Sequence, residues 1–282
     1  MPSTTPNLFI IGTPRSATTS VARWLSAHPD VAMGRRKEPM YHAHDLASPT
    51  RFTSEGAYLD LWSHAADALL RIDASPWYLY SKEAAASIAK MSPDSRLVVQ
   101  LRNPVDMIAS LHAHHVFTGH EKERDFAKAV FSLRSPDMGE FRNTVDYLEV
   151  ARIAAQIDRY YEHFDRSQVV FVDFDEVKEN PEASYLRLLA DLGLRPVPLT
   201  TYPRLNPARR SRIPGMHRWF ADARSPIGRA LRRVVKKVAV TEGRPTLPPG
   251  QLLRVQQALQ ADIEELESLI GRDLTKWKGS PG

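Results

Sequence analysis

The stretch Leu8-Phe9-Ile10-Ile11-Gly12, running directly into Thr13-Pro14-Arg15-Ser16-Ala17-Thr18-Thr19-Ser20, constrains this chain more than any other. Four consecutive apolar residues suit a strand buried on both faces of a parallel sheet, where helices cover each side and no position faces water. Val21, Trp24, Leu25 and His28 then follow i, i+3, i+4, i+7 spacing and stop before Pro29, the pattern of an amphipathic helix. Strand, hydroxyl-rich turn and helix in that order open a βαβ unit. Further apolar runs at Val31–Met33, Leu69–Ile72, Leu97–Leu101 and Val169–Val172 are separated mostly by helix-compatible stretches. That alternation favours an α/β protein with a parallel sheet, and an antiparallel meander fits it poorly.

Helix boundaries are legible elsewhere. Asn103-Pro104 reads as an N-cap followed by proline at the first helical position, with Val105, Ile108, Ala109 and His112 along one face. Residues 144–164 predict one long amphipathic helix. Another is predicted over Gln251–Ile270, with Leu252, Val255, Leu259, Ile263, Leu266 and Ile270 on one side and Gly271 as its C-terminal cap. With 43% apolar and 25% charged residues the chain is neither disordered nor fibrous. We expect a single domain over 1–282, with a Pro- and Arg-rich excursion at about 196–249 over one end of the sheet.

The formal charge is +5, and its distribution tells more than its sum. Residues 204–244 hold 12 Lys/Arg against Asp222 and Glu242, a net of +10, so the remaining residues carry 5 minus 10, or −5. Such a segment suits an anionic ligand, a membrane surface or nucleic acid. There is no cysteine, which excludes disulfides, thiolate metal sites and cysteine nucleophiles. The opening MPSTTPNLFIIG has no basic leader, and its apolar run is far shorter than the roughly 20 residues of a spanning helix. The expectation is a cytoplasmic chain with no transmembrane segment.

The turn after the first strand combines a helix start, one arginine and several hydroxyls, a set that suits an oxyanion. A nucleotide triphosphatase loop would need GxxxxGK[ST]; here the corresponding positions are Ala17, Thr18 and Thr19, without the lysine. Taken alone, the motif also fits a strand-to-helix turn capped by Ser and Thr.

The loop IIGTPRSATTS resembles that of the sulfotransferases that use 3'-phosphoadenosine 5'-phosphosulfate, particularly their bacterial and carbohydrate-type branch. Arg15 stands where that family has Lys or Arg, and Ala17 where it usually has glycine. Arg102-Asn103-Pro104, with Ser110 eight residues after the arginine, is similar to the family's 3'-phosphate site. Glu242-Gly243-Arg244-Pro245 and the closing GRDLTKW are similar to its C-terminal segment, which makes Arg244 a second clamp on the nucleotide. VVFVDFDEVKENPEASYLRLLADLGL also looks like the family's late strand and helix. The resemblance implies a P-loop-like three-layer α/β/α fold, with donor contacts at Arg15, Ser16, Ala17, Thr18, Thr19, Arg102, Ser110 and Arg244, and no required metal.

After the second strand, Arg35-Arg36-Lys37-Glu38-Pro39-Met40-Tyr41 lies at the carboxyl end of the sheet, where α/β enzymes hold ligands. Glu38 aligns with the family's glutamate base, and Lys37 and Arg15 are placed to neutralise developing negative charge. Asp73-Ala74-Ser75-Pro76-Trp77-Tyr78 resembles an acceptor-lining turn, although some carbohydrate sulfotransferases carry lysine where Ala74 stands. Tyr78 and His42 are the acceptor-side candidates. His42, His44, His112, His114 and His115 lack metal-ligand spacing, so no metal site is expected. The expected reaction is sulfuryl transfer to a hydroxyl of a carbohydrate, glycolipid or small natural product. The alternatives are a P-loop nucleotide or phosphate transferase and a noncatalytic nucleic-acid binder, for which the basic stretch has few interleaved aromatics. Nothing in the residues sets an oligomeric state.

Overall fold

Each apolar run forms a strand. They are β1 Leu8–Gly12, β2 Val31–Met33, β3 Leu70–Ala74, β4 Arg96–Leu101 and β5 Val169–Asp173. All are parallel, in the order β2-β3-β1-β4-β5, with β1 at the centre. The structure, a computed structural model, describes residues 4–132, 139–203, 209–211, 240–242 and 249–278. Among these, residues within 1–102 and 155–206 form one compact unit, and residues within 103–154 and 207–282 form a second.

The first unit holds the whole sheet. Period-two alternation puts Leu8 and Ile10 of β1, Ile72 and Ala74 of β3, Val98 of β4, and Val170 and Val172 of β5 on one face. There they pack against Val21, Ala22, Trp24 and Leu25 of α1 (Thr18–Leu25) and Tyr185, Leu188 and Leu189 of α9 (Pro181–Asp191). Phe9 points to the opposite face, and its ring meets that of His42 at 5.6 Å. A smaller cluster, Tyr58, Leu61, Trp62 and Ala65, begins in α2 (Glu55–Leu59) and continues past it. Trp62 Nε1 donates to the Ile72 carbonyl at 3.2 Å, which ties this cluster to β3. This unit also holds α3 (Ala84–Met91), α8 (Phe174–Glu179) and residues 155–161 of the helix Ile153–Tyr161.

The second unit contains α4 (Pro104–Thr118), α5 (Phe126–Phe131), α6 (Tyr147–Ala151), the start of α7 (Ile153–Tyr161) and α10 (Pro249–Ile270). It also has an antiparallel backbone pairing of 209–211 with 240–242. Asn103 caps α4 as its sequence predicts, its Oδ1 accepting from Val105 N at 3.0 Å and Asp106 N at 3.4 Å. Gly271 ends α10 with φ 62°. The single helix expected over 144–164 is instead two, α6 and α7, broken at Arg152 with ψ 74°. The cause is tertiary: Asp262 of α10 accepts from Ile153 N at 2.9 Å and so caps a new helix start. Among the described residues no helix is long and apolar enough to cross a membrane.

Candidate functional site

The loops that follow β1, β2 and β3 and the arginine directly after β4 all emerge at the carboxyl edge of the sheet, beside its central strand. In open α/β sheets this edge holds the ligand. The first loop is anchored from below. Thr13 N and Oγ1 both donate to the Gln100 carbonyl, at 2.8 and 2.9 Å, and Thr13 Oγ1 lies 2.5 Å from Ser16 Oγ. Arg15 and Ala17 take left-handed backbone, φ 66° and 63°. Ala17, at the glycine position of the related loops, therefore adopts the conformation glycine would, at a steric cost of about 1–2 kcal/mol.

Ala17 is also the N-cap of α1, and it has no side-chain oxygen to accept from the first turn. A helix start capped by a methyl group leaves its leading N–H groups to an oxyanion. Thr18 and Thr19 stand on that turn. Arg102, only 6% exposed, donates from Nη1 to the Arg15 carbonyl at 2.7 Å and lies over the Phe174 ring at 4.5 Å. The arginine expected as a phosphate ligand is thus also a brace for the loop backbone. Phe174 was invisible to sequence reasoning, since a lone aromatic after a strand carries no signal.

The second loop carries Lys37 and Glu38, whose Nζ and Oε1 are 2.5 Å apart and partly exposed. Glu38 and Met40 flank Pro39 with φ 55° and 54°, two more left-handed residues without glycine. Burial lowers the Arg15 guanidinium pKa, and the nearby Glu38 carboxylate opposes that shift. The same carboxylate is felt by Asp73, which burial pushes up to about 6 against three hydroxyl hydrogen bonds, with Glu38 adding to the rise.

The two acceptor-side candidates lie inside the first unit. Tyr78 is fully buried, and its hydroxyl donates to Asp73 Oδ2 at 2.8 Å. His42 is equally buried, its Nδ1 2.9 Å from Ser87 Oγ and its ring edge-on to Phe9, Tyr41, Tyr58 and Tyr78. Burial, helped by His44, pushes His42 down to about 3, so the ring is neutral. Arg159 Nη2 donates to the Leu79 carbonyl at 3.1 Å, and Tyr160 to that of Tyr78 at 3.0 Å, fixing the turn from α7. Ser110 is buried on α4 in the second unit. Arg244 and most of the basic excursion lie outside the described residues. Of the α4 histidines, His112 and His115 are buried, with His112 Nε2 2.8 Å from the Glu123 carbonyl, and His114 is half-buried.

The profile of the sulfotransferase domain matches residues 5–212, nearly three quarters of the chain. The chain belongs to the sulfotransferase domain family. Among the relatives of this sulfotransferase-family chain is the bifunctional heparan sulfate N-deacetylase/N-sulfotransferase 1 of Caenorhabditis briggsae, 24% identical over 212 residues, covering 72% of this chain and 24% of that protein. Another is the heparan sulfate glucosamine 3-O-sulfotransferase 3A1 of Mus musculus, 25% identical over 192 residues, covering 67% and 46%. The chain therefore spans about a quarter to a half of the length of these relatives. A crystal structure of a sulfotransferase from Alicyclobacillus acidocaldarius superposes with a TM-score of 0.73 at 23% identity, covering 98% of this chain and 99% of that one. It shares the fold, a parallel sheet flanked by helices.

Proposed function

We propose that this chain transfers the sulfuryl group of 3'-phosphoadenosine 5'-phosphosulfate to a hydroxyl of a carbohydrate, glycolipid or small natural product. The observation that carries the reading is the start of α1 without a side-chain cap, braced by the Arg102 bond to the Arg15 carbonyl, at the same edge of the sheet as the Lys37–Glu38 pair. The donor set fits the nucleotide: a helix start without a side-chain cap, the hydroxyls of Ser16, Thr18 and Thr19, and the guanidinium groups of Arg15 and Arg102. Ser110 and Arg244 complete the donor contacts in this reading.

The donor supplies an activated sulfuryl group. Glu38 accepts the proton of the acceptor hydroxyl at Oε2, because Lys37 occupies Oε1. As the acceptor oxygen bonds to sulfur, the bond from sulfur to the 5'-phosphate oxygen breaks, adenosine 3',5'-diphosphate leaves, and Lys37 and Arg15 neutralise the negative charge that builds on its phosphate. Tyr78 and His42, both buried, are the acceptor-side residues of this reading. The heparan sulfate enzymes among the relatives suggest a glycan acceptor. No step requires a metal or nucleic acid.

The test is incubation with the phosphosulfate donor and a panel comprising a desulfated heparan oligosaccharide, an alkyl glucoside and 4-nitrophenol, with and without Mg²⁺. The expected result is desulfated nucleotide in step with one sulfated acceptor, unaffected by chelator. Phosphoryl transfer from Mg²⁺-ATP in place of sulfuryl transfer overturns the reading.

A further inference from the structure

Asp73 is a carboxylate in the middle of LRIDA, a strand buried along its whole length, and it is 1% exposed. A buried carboxylate is stable only when its lone pairs are filled. Three hydroxyls fill them: Ser75 Oγ donates to Oδ1 at 2.7 Å, and Tyr58 and Tyr78 donate to Oδ2 at 2.8 Å each. Two of these hydroxyls are relays. Ser75 Oγ also accepts from Met40 N at 3.3 Å, and Tyr78 Oη accepts from His42 N at 3.4 Å.

A hydroxyl has one proton. When that proton is committed to Asp73, the lone pairs of Ser75 and Tyr78 are free to face the two backbone N–H groups. Met40 and His42 come two and four residues after Glu38, and both Glu38 and Met40 occupy backbone that non-glycine residues avoid. Such conformations persist only where the surroundings hold them. Tyr58, by contrast, donates to Asp73 but accepts from neither loop amide.

We propose that Asp73 is the positioning residue of the Glu38 loop, orienting two hydroxyl relays that hold the backbone of Met40 and His42 and thereby aim the Glu38 carboxylate. The inference rests on the reading that Glu38 is the base. An amide at this position reverses the polarity of one oxygen. The hydroxyl facing the new N–H must then accept from it, and its own proton turns toward the loop amide it had been holding. Two donors then face each other, and that tether is lost.

The experiment compares Asp73→Asn, Tyr58→Phe, Glu38→Gln and the double variant Asp73→Asn/Glu38→Gln with the native chain. Hydrogen exchange needs no acceptor: in Asp73→Asn, the amide of Met40 or His42 is expected to exchange at least tenfold faster, while that of Thr13, bonded to Gln100, is unchanged. Turnover of Asp73→Asn is expected to fall about 10- to 100-fold, with the affinity for adenosine 3',5'-diphosphate within twofold of native. Tyr58→Phe is expected within threefold of native turnover. The double variant is expected to be no slower than Glu38→Gln alone, because residues acting as a unit are not additive. Uniform acceleration of exchange, including Thr13, or an additive double variant overturns the positioning role while leaving Glu38 as base. If Glu38→Gln itself retains near-native turnover, the base assignment falls and takes the positioning role with it.

Discussion

Arg102 and Arg15, 87 residues apart in sequence, meet through a 2.7 Å hydrogen bond from the Arg102 guanidinium to the Arg15 main-chain carbonyl. Two cations meet here because one contributes its side chain and the other its backbone. The bond holds the oxyanion loop by the residue before Ser16, and the guanidinium lies over the Phe174 ring, 4.5 Å from its centroid. In the proposed reading, one side chain therefore couples the shape of the loop to recognition of the nucleotide phosphate.

Arg102→Ala is accordingly expected to weaken adenosine 3',5'-diphosphate binding by about 1.5–3 kcal/mol, the usual worth of hydrogen bonds to charged groups. Phe174→Leu is expected to cost about 0.5–1 kcal/mol through the lost cation–π contact. Calorimetric titration of both variants checks the order. A larger loss in Phe174→Leu contradicts it.

Adenosine 3',5'-diphosphate is expected to stabilise the chain without Mg²⁺. At one hundred times its dissociation constant the linkage is about 2.7 kcal/mol, which for a chain of this size is roughly 5–10 °C in melting temperature. ATP, lacking the 3'-phosphate, is expected to shift it less. Equal shifts in a thermal melt count against the Arg102 site.

Glu38→Gln retains size and removes basicity, so turnover is expected to fall by roughly 10² to 10⁴ while nucleotide affinity and melting temperature stay near native. Steady-state rates beside a binding isotherm separate the two effects.

Gly12 ends β1 under the buried Leu79, and a Cβ there would lie 2.7 Å from Leu79 Cβ. Gly12→Ala is expected to destabilise by about 1–3 kcal/mol through overpacking, a fall of roughly 2–4 °C per kcal/mol in the melt.

His42 gives the chain an acid-sensitive element. Its folded value near 3 lies below the unfolded 6.5, so the unfolded chain binds more protons and stability falls as pH drops from 6.5 toward 3. Relative to His42→Gln, the native chain is expected to lose about 1.4 kcal/mol between pH 7.5 and 5.5. Asp73 acts in the opposite sense, since its folded value is raised to about 6 from 3.8. Its contribution is present below 3.8 and is lost as pH rises through 6, and it is common to both proteins in the comparison. Urea midpoints across this range test the sign.

What the sequence determined by itself was local and periodic. Runs such as Leu8–Ile11 and Val169–Val172 had to be strands covered on both faces by helices, since no register gives them a wet face; that Leu8–Ile11 would be central and Val169–Val172 an edge was not legible. Asn103 and Pro104 had to start a helix, because their own side chains set the capping bond and the backbone angle. The oxyanion loop and the Lys37-Glu38 pair were legible for the same reason: their chemistry sits in consecutive residues. The strand order and the partners of polar groups were left to the tertiary structure. Nothing near Arg152 signals a helix break, because the capping carboxylate comes from Asp262, more than a hundred residues on. Tyr78 was legible as an aromatic beside proline, but not the bond its hydroxyl donates to Asp73. A carboxylate inside LRIDA signals a paired buried charge, but not which hydroxyls fill its lone pairs. Period and propensity act within a few residues along the chain, whereas a buried hydrogen bond is decided by which side chains packing brings within 3 Å, and that is a property of the folded chain alone.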